Sequence, residues 1–231
     1  MTTLIIAATE FELAVLVEAL QCSQKSRLLD FTLYQTATST DDRYILIRCG
    51  AGIANAAAAA CLGIALYKPA RIFNVGACGV YNADTNTIGQ VVIGTRTVFA
   101  DTGVDTGTDF LSMQAIDLPL AKPESGDEVF NVMGLHEARV NHKLKRAVFL
   151  TVAACSGSAQ RAALVSGRFS FKQELLCEDM ESAAVALMAN KAAIPCTIVR
   201  GISNICGDRD YGNWQLSKAA QAAQKELLKC L

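Results

Sequence analysis

Apolar runs of strand length alternate along this chain with longer segments in which apolar and polar residues recur every three or four positions. Runs such as Leu4-Ile5-Ile6-Ala7-Ala8 and Ile72-Phe73-Asn74-Val75 are nearly continuous in apolar character. A strand covered on both faces reads this way, whereas a strand with one wet face alternates. The pattern predicts strands over 4–8, 31–35, 44–49, 72–75, 91–98, 148–153 and 197–202. It predicts helices over 10–21, 54–67, 159–165, 181–191 and 215–231. The two strand runs within 31–49 read as a hairpin, so the expected fold is α/β: a three-layer sandwich whose central sheet is mixed but mostly parallel, flanked by helices. Between residues 100 and 143 Gly, Asp, Thr, Pro and charged residues dominate and the periodicity fades. That stretch is expected to be a long loop or excursion, of the kind that is usually functional or disordered. No repeat, low-complexity tract or linker interrupts the text, so residues 1–231 read as a single domain.

Composition narrows the function. A chain of 231 residues that is 52% apolar can bury one sizeable core. Its 21 basic and 22 acidic residues leave a net charge of −1, which provides no footprint for nucleic acid or an anionic membrane and suits a small neutral or weakly charged ligand. The N-terminus lacks a basic leader segment, Glu10 and Glu12 follow it closely, and the longest apolar run, 56–67, is too short to span a bilayer. A soluble cytoplasmic protein is expected. Nine cysteines, among them Cys49, Cys61, Cys78, Cys155 and Cys196, are scattered through apolar segments with no C-x-x-C pair, so they read as buried thiols. The two histidines, His136 and His142, lie in a polar stretch without ligand-spaced neighbours, and no metal or organic cofactor is expected.

The candidate chemistry sits at strand ends. Glu178-Asp179-Met180-Glu181-Ser182-Ala183-Ala184 places acids at the start of an apolar helix, where unpaired N–H groups and the helix dipole favour an anion able to hold sugar hydroxyls. Arg200-Gly201-Ile202-Ser203-Asn204 places an amide, suited to reading a base edge, at the end of another strand. Burying Glu181 unpaired would be costly, so it reads as a cap, a site residue, or both. Glu12 follows the first strand and would face the same sheet edge as Glu181, whereas Glu10 reads as a solvated first-turn acid. Asn74-Val75-Gly76-Ala77-Cys78-Gly79 follows a buried strand and reads either as a turn or as the wall of a site beyond the strand ends. Gly50-Ala51-Gly52 lacks the third glycine of a dinucleotide fingerprint; it favours tight helix packing over anion or sugar binding. Asp208, Arg209 and Asp210 read as a salt-bridged turn before the last helix.

Taken together, Glu-Phe-Glu-Leu at 10–13, Asn-Val-Gly-Ala-Cys-Gly at 74–79, Asp-Met-Glu-Ser-Ala-Ala at 179–184 and Arg-Gly-Ile-Ser-Asn at 200–204 resemble the purine nucleoside phosphorylase and nucleosidase superfamily over nearly the whole chain. The segments 100–104, 109–112 and 203–210, with Trp214, are most similar to the futalosine hydrolases of the menaquinone route. The resemblance implies a nucleoside phosphorylase-like fold, a homo-oligomer, and hydrolysis of the N-ribosidic bond of futalosine by water, releasing hypoxanthine and dehypoxanthine futalosine. It implies that Glu12 orients and deprotonates the water, that Glu181 and the Met180 segment hold the ribose, and that Asn204 meets the purine at N7 and the six-position. Gly76, Ala77, Asp179 and Ser203 complete the implied binding set.

The chain also departs from relatives that cleave methylthioadenosine. Those carry an aromatic after the Ser-Gly that here reads Ser156-Gly157-Ser158-Ala159-Gln160, and an Asp in place of Asn204; some relatives have a hydroxyl residue in place of Ala77. Base stacking is then expected from Phe169, Phe171 or a partner subunit, and Arg48 or Arg96 remains open as an anion ligand. Three alternatives stay open: a methylthioadenosine or adenosylhomocysteine nucleosidase, a 6-oxopurine nucleoside phosphorylase, and a purine-nucleoside-binding module without turnover.

Overall fold

The computed structural model describes residues 1–36, 42–81, 83–122, 127–136, 143–171 and 174–231. Strand β1 (Thr2–Ala7) shows why the central strands are apolar throughout. Its side chains alternate between faces. Leu4 and Ile6 enter a core shared with α2 (Ile53–Tyr67) and α4 (Ser182–Lys191), while Ile5 and Ala7 enter a second core under α1 (Ala14–Ala19) and α5 (Leu216–Leu228). A third core lies where α3 (Ala159–Gly167) covers β6 (Val91–Phe99) and β10 (Lys145–Thr151).

Parallel pairing runs β4 (Arg43–Arg48), β1, β5 (Arg71–Val80), β12 (Cys196–Ile205). It also joins β6, β10 and β11 (Leu175–Asp179). The predicted hairpin is present as β3 (Phe31–Gln35) against β4. The parallel character is less extensive than expected, because β6 pairs antiparallel with β12 and β2 (Ser23–Leu28) antiparallel with β3. Nor does the sheet stay open as a flat middle layer. β11 pairs with β10 on one side and, antiparallel, with the end of β5 on the other (Cys177 opposite Val80, Glu178 opposite Gly79), so β5, β12, β6, β10 and β11 close into a barrel-like ring. Closure is possible because β5 and β12 each run ten residues, beyond the predicted 72–75 and 197–202. A register shift between Ile202 and Asn204 bends β12.

In the stretch 100–143, β7 (Gly103–Asp105) and β8 (Phe110–Ser112) form a separate two-stranded sheet and β9 (Val132–Gly134) pairs with β6. The first helix starts at Ala14 rather than residue 10, because residues 9–13 form a turn in which Thr9 donates to the Glu12 carboxylate and Leu13 N–H to the Glu10 carbonyl. His142 lies outside the described residues. Among those described, no three His, Cys, Asp or Glu side chains are placed to hold a metal ion, and no helix is long and apolar enough to cross a membrane.

Candidate active site

β1, β5 and β12 end on the same side of the sheet, and β11 reaches that side from the opposite direction. Their ends enclose a cavity of about 340 Å³, lined by Glu12, Ala77, Asp179, Met180, Glu181, Ser203 and Asn204 of the predicted set. Clefts beyond the carboxyl ends of strands are where open α/β sheets bind ligands, and the volume lies at the small end of ligand pockets. Gly76, the remaining member, sits behind the wall. A Cβ there would lie 2.4 Å from Arg200 Nη1 and 2.5 Å from Glu12 Oε1, so only glycine lets these two side chains approach across the strand. The segment 74–79 is therefore not a turn, since its glycines sit within β5.

One end of the cavity is dominated by charge. Glu12, 6% exposed, accepts hydrogen bonds from Ala77 N–H (2.9 Å), Thr9 N–H (3.0 Å) and the Thr9 hydroxyl (2.8 Å). Glu181 occupies the N-cap position of α4, but its side chain does not cap that helix. Asp179 takes that role, its Oδ1 accepting from the N–H groups of Glu181 (3.3 Å) and Ser182 (3.2 Å). Freed from capping, Glu181 accepts from Gly52 N–H at 2.8 Å. The two-glycine turn thus does more than pack: Gly52 has φ +100, a conformation that favours glycine, and its N–H binds the carboxylate. Burial pushes the Glu181 carboxyl up to about 7; Arg200 and the Gly52 N–H pull it down, while Asp179 and Glu12 raise it further.

Arg200 offsets part of the charge at this end. It is 1% exposed, donates to Asp179 Oδ2 (3.1 Å), Asn74 Oδ1 (2.6 Å) and Ser182 Oγ (3.2 Å), and stands 3.7 Å from Glu181 Oε2. Asp179 is fully engaged by Arg200, Ser182 and Thr151, so it shapes the wall rather than offering a free carboxylate. Arg200 was within sequence reach: a cation inside Thr197-Ile198-Val199-Arg200-Gly201-Ile202 must find buried carboxylates.

The other end is built from neutral dipoles and one clasped acid. Asn204 Oδ1 lies 2.7 Å from the Ser203 hydroxyl and its Nδ2 donates to the Ile205 carbonyl at 3.0 Å, which leaves one N–H and one lone pair free. Glu178, which the strand-end reading passed over as part of an acidic run, also lines the cavity; it accepts from Ser156 N–H (2.9 Å), Ser156 Oγ (2.5 Å) and the Tyr81 hydroxyl. The aromatics here are Phe11 and Trp214. Phe169 and Phe171 instead pack on the third core. Arg48 is held by Thr32 and Glu10, and Arg96 by Glu174; neither lines the cavity. Among the described residues no ion pair joins Asp208, Arg209 or Asp210 to a partner: Asp208 and Asp210 accept from the N–H groups of Asp210 and Gly212, and Arg209 lies over the Tyr211 and Trp214 rings. Cys155 also lines the cavity and, like Cys61, is an exposed thiol rather than the buried one expected; partial desolvation by the cavity wall, with Glu178 and Glu181 nearby, pushes it up to about 11, so it stays protonated and is a poor nucleophile.

Carboxylates held by backbone N–H groups beside a buried guanidinium suit proton abstraction from water and stabilisation of a cationic sugar, and the amide end suits a hydrogen-bonding heterocycle. Comparison with known proteins agrees in kind. Residues 2–231 match the family described as the phosphorylase superfamily. The chain is 27% identical over 233 residues to the 5′-methylthioadenosine/S-adenosylhomocysteine nucleosidase of Bacillus subtilis, covering 98% of this chain and 96% of that protein. It is 26% identical over 205 residues to the enzyme of the same name from Psychromonas ingrahamii, covering 89% and 86%. Two solved structures of nucleosidases of that name share the fold. One is from Neisseria meningitidis in complex with methylthio-immucillin-A (TM-score 0.76, 21% identity, 99% of this chain and 97% of that one). The other is from Colwellia psychrerythraea in complex with adenine (TM-score 0.78, 20% identity, 100% and 94%).

Proposed function

Because the chain belongs to the phosphorylase superfamily, we propose that it is a purine nucleosidase that hydrolyses an N-ribosidic bond, and that its substrate is a 6-oxopurine nucleoside of the futalosine type. Glu12 accepts a proton from water as oxygen bonds to C1′ and the C1′–N9 electron pair leaves with the base. Glu181 accepts hydrogen bonds from the ribose hydroxyls, and its charge, like that of Glu12, favours the developing oxocarbenium ion.

The single observation that carries the choice of base is an amide, Asn204, on the cavity wall. A departing purine protonated on N7 presents a donor there. With adenine the six-position is a second donor, and a carboxylate complements both; with a 6-oxopurine it is an acceptor, which calls for one acceptor and one donor, as an amide provides. A mismatch at one buried polar pair costs about 10- to 100-fold, and a whole edge that fails to match costs more. Water is favoured over phosphate because Arg96 is paired with Glu174, Arg48 is held by Thr32 and Glu10, and Arg209, the arginine that lines the cavity beside Trp214, lies over the Tyr211 and Trp214 rings. A homo-oligomer belongs to the same reading, supported by exposed Val104, Leu111 and Val132 on the excursion after β6.

A second reading, a 5′-methylthioadenosine/S-adenosylhomocysteine nucleosidase, is favoured by the names of the curated relatives. Incubation with futalosine, inosine and 5′-methylthioadenosine, with and without phosphate, followed by chromatography of the free base, separates them. Hypoxanthine from futalosine without phosphate is the expected result. Adenine release selects the second reading, phosphate dependence selects a phosphorylase, and no base from any nucleoside leaves only a binding module.

A further inference from the structure

A second cavity, of about 530 Å³, adjoins the first at its sugar end. Both cavities touch Ala8, Thr9 and Ala51, residues with short side chains. Two of these belong to the segments that hold the ribose-end carboxylates: Thr9 donates to Glu12, and Ala51 precedes Gly52, whose N–H binds Glu181. None of the base-end residues Ser156, Glu178, Ser203 and Asn204 lines the second cavity. A nucleoside whose base meets Asn204 and whose ribose hydroxyls meet Glu181 has one arm left to place, the substituent on C5′, and the sugar end is where that arm must leave the first cavity.

The wall of this chamber is polar on each strand that forms it. Gln24 and Arg27 come from β2, Thr32 and Tyr34 from β3 and Arg48 from the end of β4, with Glu10 from the turn after β1. Two guanidiniums and one carboxylate therefore line it. Arg48 is anchored: its Nε and Nη2 donate to the Thr32 hydroxyl at 3.2 and 2.8 Å, and Nε stands 3.5 Å from Glu10 Oε2. The other Glu10 oxygen takes the Tyr34 hydroxyl. Arg48 Nη1, with two of the five N–H donors of the guanidinium, makes no hydrogen bond among the described residues. Arg27 pairs with Asp30 in an exposed i,i+3 contact, a kind that contributes little and yields to a better partner.

We propose that this chamber receives the 5′ substituent of the nucleoside, and that the substituent carries a carboxylate taken by the free edge of Arg48 with Arg27 alongside. An alkylthio group offers these donors nothing, whereas a carboxylate accepts charge-assisted N–H bonds from a guanidinium. Neither arginine lines the first cavity, where C1′ is placed, so the site serves the substituent and not a phosphate nucleophile. This inference rests on the nucleosidase reading in taking Glu12 and Glu181 as the sugar end.

The test is calorimetric binding of two analogues that need no turnover, the N-butyl and N-(3-carboxypropyl) 5′-carboxamides of 9-deazainosine, whose glycosidic bond is C–C. Wild-type protein is expected to bind the carboxylate about 10- to 100-fold more tightly. Arg48→Gln should remove most of that preference and leave the affinity for the butyl analogue unchanged, and Arg27→Gln should reduce it less. A purely structural Arg48 would weaken both analogues alike and keep their ratio, which overturns the proposal. Should that variant fail to fold, Glu10→Gln decides: losing the one acid in the wall should widen the preference by up to about fivefold, and an unmoved preference overturns the proposal. Equal affinity of the two analogues for wild-type protein, or binding of neither, overturns it as well. Preference for the carboxylate with no base released from any nucleoside would sink the hydrolase reading and leave this one. Hypoxanthine release without that preference would do the reverse.

Discussion

At one end of the cavity Arg200 stands among the carboxylates of Glu12, Asp179 and Glu181, each less than a tenth exposed. At the other end Asn204, Ser203, Ser156 and Tyr81 surround the single acid Glu178. Charge at the first end is balanced by a buried cation and by backbone N–H groups from three separate segments: Thr9, Gly52 and Ala77. Charge at the second end is held by hydroxyls and one N–H; among the described residues no cation pairs with Glu178, although Arg209 lines the same cavity. Buried ion pairs tolerate the loss of a partner badly, whereas neutral hydrogen-bonding groups can be exchanged at lower cost. The charged end is therefore suited to chemistry that must not vary, and the dipolar end to choosing the base.

Removing the cation should break that contrast most severely. Arg200→Met leaves Asp179 and Glu181 buried without a counter-charge, and a loss of about 3–5 kcal/mol in urea unfolding is expected. A loss under about 1 kcal/mol, within the range of an exposed pair, would mean the first end is not locked by charge. Next in size are Glu12→Gln and Glu181→Gln. Each should lower turnover by about 10²- to 10⁴-fold, with the fold intact by circular dichroism. Wild-type rates in either variant would remove that carboxylate from the mechanism.

The charged end was the more legible from sequence. Glu12 follows the apolar run of β1, and Asp179, Met180 and Glu181 stand at the start of the apolar run of α4, so their place at the end of an element followed from pattern alone. What pattern could not reveal is how the carboxylates are satisfied. Gly52 lies 129 positions from Glu181 in the chain, and nothing local links the two. The ring closure was hidden for the same reason. β11 reads Leu-Leu-Cys-Glu-Asp and gave no strand signal beside its acids, yet its pairing with Gly79 and Val80 brings Glu178 to the base end. Polar β2, Ser-Gln-Lys-Ser-Arg-Leu, was missed because a sheet-edge strand needs no apolar run. Phe169 and Phe171, close in sequence to the Ser-Gly segment, are drawn into the α3 core and do not line the cavity.

Asn204→Asp sharpens the comparison from the dipolar side. It replaces one donor with an acceptor and should move preference from 6-oxo toward 6-amino nucleosides by about 10- to 100-fold in kcat/KM ratio. An unchanged ratio for inosine against adenosine would refute edge reading by this residue.

The smallest expected effect is a pH dependence that belongs to the charged end alone. Glu181 titrates near 7 when folded against 4.5 as its ordinary value, so between these limits the folded protein holds the extra proton. Stability contributed by this group therefore falls as pH rises from about 4.5 to about 7, and is flat above. Activity should run the other way, because the ionised form is the one that stabilises a cationic sugar. The kcat/KM profile is expected to rise through pH 7 by at most tenfold per unit. Glu181→Gln should erase the stability slope, while Asn204→Asp, which leaves the Arg200 cluster untouched, should keep it. A slope surviving in Glu181→Gln would assign the proton to another group. A folded state that is least favoured where the acid is charged fits a carboxylate retained for its chemistry, at a position where a neutral amide would be the more stable occupant.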